Sequence, residues 1–421
     1  MRGLAWAGRA LLPRGAREDA RPLLIARSLR AVVDGCMAVL LPAYLLAIGL
    51  SAFDVGVVAT TTLLGSALAT VAVGVWGHRA ASQRLLRAAA VLMALTGLAF
   101  AGFTTFWPLL IVAFVGTLNP GSGDVSVFLP LEHARLASAA SGDARTALFA
   151  RYSVLGAVCA ALGALVAGAP DALVRFAGWA RIDALRAMFV VYAAVGALVW
   201  WLYRSPAVAS AQGGDGVRDV AQEAAAAPLG PSRGIVIRLA ALFSIDAFAG
   251  GLVVNSLLSL WLLQRFGLSL PQIGTFFFAS GLLSAASQLA APSVARRFGL
   301  LNTMVFTHIP SSVCLIAAAL VPAAWPAAAL VLLLLRSALS QMDVPTRTAY
   351  VMAVVTPPER PAAASFTAVP RSLAAALSPS IAGAMLAIGW LATPLVACGL
   401  VKITYDLLLW RACRRDRLAD E

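Results

Sequence analysis

Twelve long apolar stretches dominate the chain, at 29–49, 54–77, 85–105, 107–135, 146–169, 184–204, 236–263, 270–295, 301–322, 326–354, 361–387 and 390–411. Each is about the 20 residues a helix needs to cross a bilayer. In hydrocarbon every backbone polar group must be satisfied inside the segment, so such stretches fold as helices. A water-soluble helical core would need polar outer faces, and most of these stretches are apolar all round. The fold class expected is therefore an all-α polytopic membrane protein. Only 12% of residues are charged, against about 25% in soluble domains.

The formal charge of +13 raises the question of nucleic acid, but its distribution answers it. The arginines crowd into the tails and alternate loops: Arg79, Arg84 and Arg87; Arg135 and Arg145; Arg204, Arg218 and Arg233; Arg296 and Arg297; Arg360; and Arg411 to Arg417. The other side holds only Arg175, Arg181, Arg186 and Arg265. Positive loops stay inside, so both termini are expected in the cytoplasm of a multi-pass protein of the cell (inner or plasma) membrane. The partners expected are the lipid bilayer, protons and a small-molecule substrate, with no nucleic acid, and the chain is expected to act as a monomer.

One long polar connector, with Gly213, Gly214, Pro228, Gly230 and Pro231, divides the chain. The expected organisation is a cytoplasmic tail over 1–28 with a short interfacial helix, a six-helix bundle over 29–204, a linker over 205–235, a second six-helix bundle over 236–411 and a tail over 412–421. The halves echo one another. Gly49-Leu50-Ser51 matches Gly267-Leu268-Ser269, Gly56 matches Gly274, and Gly123-Asp124-Val125 matches Met342-Asp343-Val344. The stretch Asn119-Pro120-Gly121-Ser122-Gly123-Asp124 breaks an apolar run, and broken backbone at membrane depth is tolerated only where protein or a cavity covers it. Duplicated halves place a substrate site near the midplane between them.

From these residues the chain resembles the major facilitator superfamily over about 29–411. The family's loop of the form Gly-x-x-x-Asp-Arg-x-Gly-Arg has its counterpart in Gly74-Val75-Trp76-Gly77-His78-Arg79-Ala80-Ala81-Ser82, with His78 and Ala81 as departures. Ala295-Arg296-Arg297-Phe298-Gly299 keeps the Arg-x-Gly core after the eighth span, and Ser378-Pro379-Ser380-Ile381-Ala382-Gly383 resembles a Gly-Pro-x-x-Gly-Gly element. The resemblance implies two pseudo-symmetric six-helix bundles and a central cavity lined by spans 1, 4, 7 and 10.

Four aspartates fall on those spans: Asp34, Asp124, Asp246 and Asp343. An ionisable group there faces the bundle interior or water. Each is a candidate for proton coupling, Asp34 first and Asp124 next, or for a gate in which it pairs with arginine. Arg30 and Arg347 stand one helical turn from Asp34 and Asp343, and Arg151 and Arg371 on neighbouring spans are the other gate candidates. Arg336, deeper in its span, is a candidate for binding an anionic substrate, or else pairs internally. Asn119, Asn255 and Gln341 are uncharged substrate-binding candidates. Glu132 is expected to be solvated at the membrane surface, and Lys402 and Asp406, four residues apart, to neutralise each other.

No catalytic residue, cofactor or metal is expected. The cysteines and the three histidines (His78, His133, His308) are dispersed without ligand spacing, and neither a phosphate loop nor HExxH is present. The function expected is secondary active transport by alternating access, as proton-coupled efflux of an amphipathic compound by an antiporter. Uptake of a small organic anion is the alternative, and a non-transporting receptor or enzyme is the reading from another class.

Overall fold

The computed structural model describes residues 12–13, 15–76, 81–121, 126–205 and 230–414, with backbone alone at 357 and 361. Asp124, most of the loop after the second span and most of the central linker lie outside the described residues, as does most of the proposed interfacial helix. Among the described residues the secondary structure is helical. Ten helical segments are long and apolar enough to cross a membrane. Two of the twelve expected crossings are not among them. One is split in two, and the other, Arg360–Ala387, carries Arg371, Pro370 and Pro379 in its interior.

The first half comprises α1 (Arg21–Ala47), α2 (Ala52–Trp76), α3 (Ser82–Gly102), α4 (Phe106–Val115), α5 (Phe128–Ala139), α6 (Gly142–Val166), α7 (Ala169–Ala177) and α8 (Arg181–Leu202). The second comprises α9 (Arg233–Gly251), α10 (Asn255–Phe266), α11 (Leu270–Phe298), α12 (Leu300–Leu320), α13 (Pro326–Ser340), α14 (Asp343–Val354), α15 (Arg360–Ala387) and α16 (Thr393–Cys413). Helix α1 begins eight residues before the expected span, and Arg27, expected in the tail, lies on it with its guanidinium 5.1 Å from the Tyr152 ring centroid on α6. The aromatic edges behave as membrane-surface anchors do: Trp107, Trp201, Trp325 and Trp390 are exposed near helix ends.

Three expected continuous spans are broken, and the sequence explains each break. The 107–135 stretch stops at Gly116, whose backbone is extended, and resumes at Phe128. The 236–263 stretch stops after Gly250-Gly251, weak helix formers, and resumes at Asn255. The 326–354 stretch stops at Ser340 and restarts at Asp343, with Pro345 in the first turn, where a missing N–H costs little. A break frees backbone groups that hydrocarbon cannot satisfy. Two of the breaks serve each other: the Ser256 N–H, at the start of α10, donates to the Pro120 carbonyl at 2.9 Å. Asn119 Oδ1 accepts from the Gly121 N–H at 3.0 Å.

The halves meet through α2 against α15, α6 against α11 and α1 against α10. Small residues permit this closeness. A Cβ on Gly56 would lie 2.5 Å from the Pro379 carbonyl oxygen and 2.8 Å from Gly383 Cα. A Cβ on Gly274 would collide with the Ala164 carbonyl. Ser380 N donates to Thr60 Oγ1 at 2.9 Å, and Ser259 Oγ to the Val39 carbonyl at 2.8 Å. These contacts all lie in the half of the bundle away from the face where α1 begins and α16 ends. Between the halves a cavity extends toward that terminal face.

Candidate functional site

The cavity is about 770 Å³, within the range of small-molecule sites. One wall is mainly apolar and small, with Gly35, Val39, Leu63, Ala157 and Ala160 from the first half. The other wall is charged, and its interacting groups come from several helices of the second half. Helix α9 brings Asp246, α12 brings His308, α14 brings Asp343 and Arg347, α15 brings Arg371 and α16 brings Lys402.

These groups form a chain of contacts. Lys402 Nζ lies 2.5 Å from Asp246 Oδ1, and Arg347 donates to Asp246 Oδ2 at 3.0 Å. Arg347 also lies 3.2 Å from Asp343 Oδ2, one helical turn away. On the far side, Lys402 Nζ is 3.4 Å from His308 Nε2. His308 Nδ1 is 3.0 Å from both carboxylate oxygens of Asp406. The order is thus Asp343, Arg347, Asp246, Lys402, His308, Asp406, and all six are buried. Burying an ion is expensive unless partners and hydrogen bonds compensate it. Asp246 has Lys402 and Arg347 as such partners, with His308 Nε2 3.9 Å away, while Asp406 has the His308 imidazole as its one hydrogen-bond partner among the described residues. Three carboxylates therefore face two permanent cations, and the sixth member is a histidine.

Two further cations, Arg336 on α13 and Arg371 on α15, line the same cavity. Neither has a carboxylate within ion-pair distance among the described residues. Asn119, Asn255 and Gln341 also line it, and Gln341 Oε1 accepts from Gln288 Nε2 at 3.3 Å. The sequence candidates thus divide. Asp246, Asp343, Arg371, Arg336, Asn119, Asn255 and Gln341 share one cavity. Asp34 and Arg151 are not among its lining residues, although Gly35 and Ala157 on the same helices are.

Three sequence expectations need correction. Arg30 pairs with Glu132 rather than with Asp34. Glu132 is fully buried instead of solvated, because Tyr152 and Tyr203 both donate to it at 2.5 Å and Phe128 lies under the Arg30 guanidinium, 3.9 Å from ring centroid to Cζ. Lys402 and Asp406 do not neutralise each other: their shared helix face turns Lys402 to Asp246 and Asp406 to His308. Sequence reasoning assigned His308 no role. Its only signal was a polar residue within the apolar run from Met304 to Leu320. Among the described residues no group of three or more His, Cys, Asp or Glu side chains is arranged to hold a metal.

Comparison with known proteins agrees with this architecture. The model of the Major Facilitator Superfamily matches residues 23–340 and again 239–419. An uncharacterized membrane protein of Saccharomyces cerevisiae is 24% identical over 423 residues, covering 94% of each chain. Among solved structures, the chain is similar to the inward-open xylose transporter XylE from E. coli, with 15% identity, a TM-score of 0.71 and coverage of 95% of this chain and 98% of that one. It is also similar to an inward-facing bacterial homologue of the iron transporter ferroportin, with 15% identity, a TM-score of 0.72 and coverage of 93% and 98%. At such identities these likenesses speak for the fold alone. Matched by the family model over most of its length, the chain belongs to the Major Facilitator Superfamily and is a membrane transporter rather than an enzyme.

Proposed function

We propose that the protein carries a small organic solute across the cell membrane by alternating access, coupled to a proton held in the Asp246 network. The observation that carries this reading is the charge count along one buried chain. Asp343, Asp246 and Asp406 bear three negative charges when ionised, and Arg347 and Lys402 bear two positive ones. Within this hydrogen-bonded chain, leaving Arg336 and Arg371 of the cavity aside, one negative charge is left over, and a buried ion without a partner costs several kcal/mol. A single proton, shared between His308 and Asp406 or taken by a carboxylate, closes the balance. Buried groups that change charge with access are the usual currency of proton relays in membranes. Asp34, the first choice on sequence grounds, supports this role less well, since it does not line the cavity.

The arginine distribution supports an orientation with both termini in the cytoplasm, and on that orientation the cavity faces inward. The seam of Gly56, Gly383, Thr60 and Ser380 then closes the outer side. Rocking the halves about the cavity would open it, and the energy for the cycle comes from differential binding to the two states. Export in exchange for protons and uptake together with them are both compatible with this scheme. The charge of the solute decides between them.

The test is transport in proteoliposomes, with a solute first identified by thermal stabilisation of the purified protein. Asp246→Asn is expected to lose accumulation driven by a pH gradient while retaining solute exchange at equal pH. Gradient-driven accumulation at the wild-type rate in that variant would overturn the assignment.

A further inference from the structure

We infer that the solute is an amphipathic organic anion, whose charged head is held by Arg336 and Arg371 and whose apolar body lies against the first-half wall. This deepens the transport reading and rests on the cavity being the solute path.

The cations lining the cavity differ in how they are partnered. Lys402 and Arg347 are held by Asp246 and Asp343 at 2.5–3.2 Å. Arg336 and Arg371 have no such carboxylate among the described residues, yet both face the cavity. A guanidinium offers a planar fork of donors that matches an oxyanion bidentately, and it remains charged throughout. Two such forks on different helices of one cavity offer a carboxylate, phosphate or sulfonate two guanidinium partners, whereas a cationic head would meet two like charges. Helix α10 adds to this. It starts inside the bundle at Asn255, without a side-chain cap, and its N-terminal end favours negative charge. From the first half, Val39 and Leu63 line the cavity with apolar surface and no charge, and Phe277 of α11 adds to it. The site therefore separates a cationic end from an apolar one, in a volume that admits a molecule well beyond a bare inorganic ion.

Charge also fixes the sign of coupling. A proton added to the Asp246 network makes the cavity more positive and strengthens anion binding. Solute and proton then bind cooperatively, and the cycle is a symport rather than the export first expected.

Equilibrium binding to the purified protein, without any membrane gradient, isolates this inference from the coupling reading. The probes are 2-phenylethanesulfonate, 2-phenylethanol and 2-phenylethylammonium, matched in their apolar part. Saturable binding of the sulfonate, with neither of the others competing at equal concentration, is expected. Arg336→Gln and Arg371→Gln should each weaken it by about tenfold or more, the scale of one charge-assisted hydrogen bond. Arg336→Lys, which keeps charge and loses the fork, should fall between. If Arg336→Gln fails to fold, Arg371→Gln and Arg336→Lys carry the test. Equal binding of the three probes, preference for the ammonium, absence of sulfonate binding, or sulfonate binding indifferent to both arginines would each overturn the inference. Asp246→Asn failing to couple while the sulfonate still binds would leave it standing.

Discussion

Lys402 Nζ sits 2.5 Å from Asp246 Oδ1, joining α16 to α9 across 156 residues of sequence. Asp246 is at the same time bonded to Arg347 of α14. Three helices that line the cavity are thus tied at one carboxylate. Any motion that changes the spacing of these helices must break, swap or protonate these bonds.

Removing one partner should cost more than removing both. Lys402→Met leaves Asp246 with Arg347 alone, and the expected loss is about 3–5 kcal/mol, the scale of removing one partner from a buried ion pair. The Asp246→Asn, Lys402→Met double variant should recover part of it. Thermal or denaturant unfolding of the wild type, the two single variants and the double variant in one detergent checks this, and strict additivity of the two single losses would contradict it.

In the first half, Glu132 accepts from Arg30, Tyr152 and Tyr203. Glu132→Ala strands the Arg30 guanidinium and two hydroxyls away from water. A loss on the order of 3–5 kcal/mol is expected, with a smaller loss for Glu132→Gln, which can still accept hydrogen bonds. A surface-like loss below about 0.5 kcal/mol for the alanine variant would restore the solvated role first expected of this residue.

The seam between α2 and α15 should act as the outer gate. Gly56→Val places side-chain atoms where Pro379 and Gly383 already stand. The expected outcome is a population shift toward a state open on that side. Labelling of a cysteine introduced at Ser380 by a membrane-impermeant reagent should rise several-fold over the same cysteine in the Gly56 background. Unchanged labelling would show that the seam yields by local adjustment.

At the terminal face, Glu359 ties the loop before α15 to the start of α9. It accepts from the Gly230 and Ser232 backbone N–H groups and from Thr356 Oγ1. The Ser232 hydroxyl, together with these donors, holds its carboxyl below the ordinary 4.5. A carboxylate depressed on folding adds stability above its unfolded pKa and loses it as pH falls through the folded one. Hydrogen-exchange protection of residues 230–236 should therefore drop as the pH is lowered below the ordinary carboxylate range. In Glu359→Gln it should be weaker and lack that dependence. Equal protection in both proteins at neutral pH would remove Glu359 from this role.

The crossings were legible because hydrocarbon allows so few ways to satisfy a backbone. The residues that share the cavity were legible in part, since a charge within an apolar run has to face something other than lipid. Partner choice was not. Arg30 lies one turn from Asp34 but bonds Glu132, 102 residues away. Lys402 and Asp406 share a face, yet each turns to another helix. His308 contacts residues 94 and 98 positions away, and nothing in its neighbourhood of sequence announces them. Helix periodicity fixes which side a residue faces, whereas tertiary packing decides what meets it there.

The leftover negative charge of the Asp246 network is open to direct measurement without a solute. Proteoliposomes on a solid-supported membrane, subjected to a pH jump, report proton binding as a transient charge displacement. The wild type is expected to give a saturable current with one apparent protonation. Asp406→Asn leaves two carboxylates against two cations, so its current should vanish, while Asp34→Asn should keep it. A wild-type current in Asp406→Asn, or its loss in Asp34→Asn alone, would contradict the account.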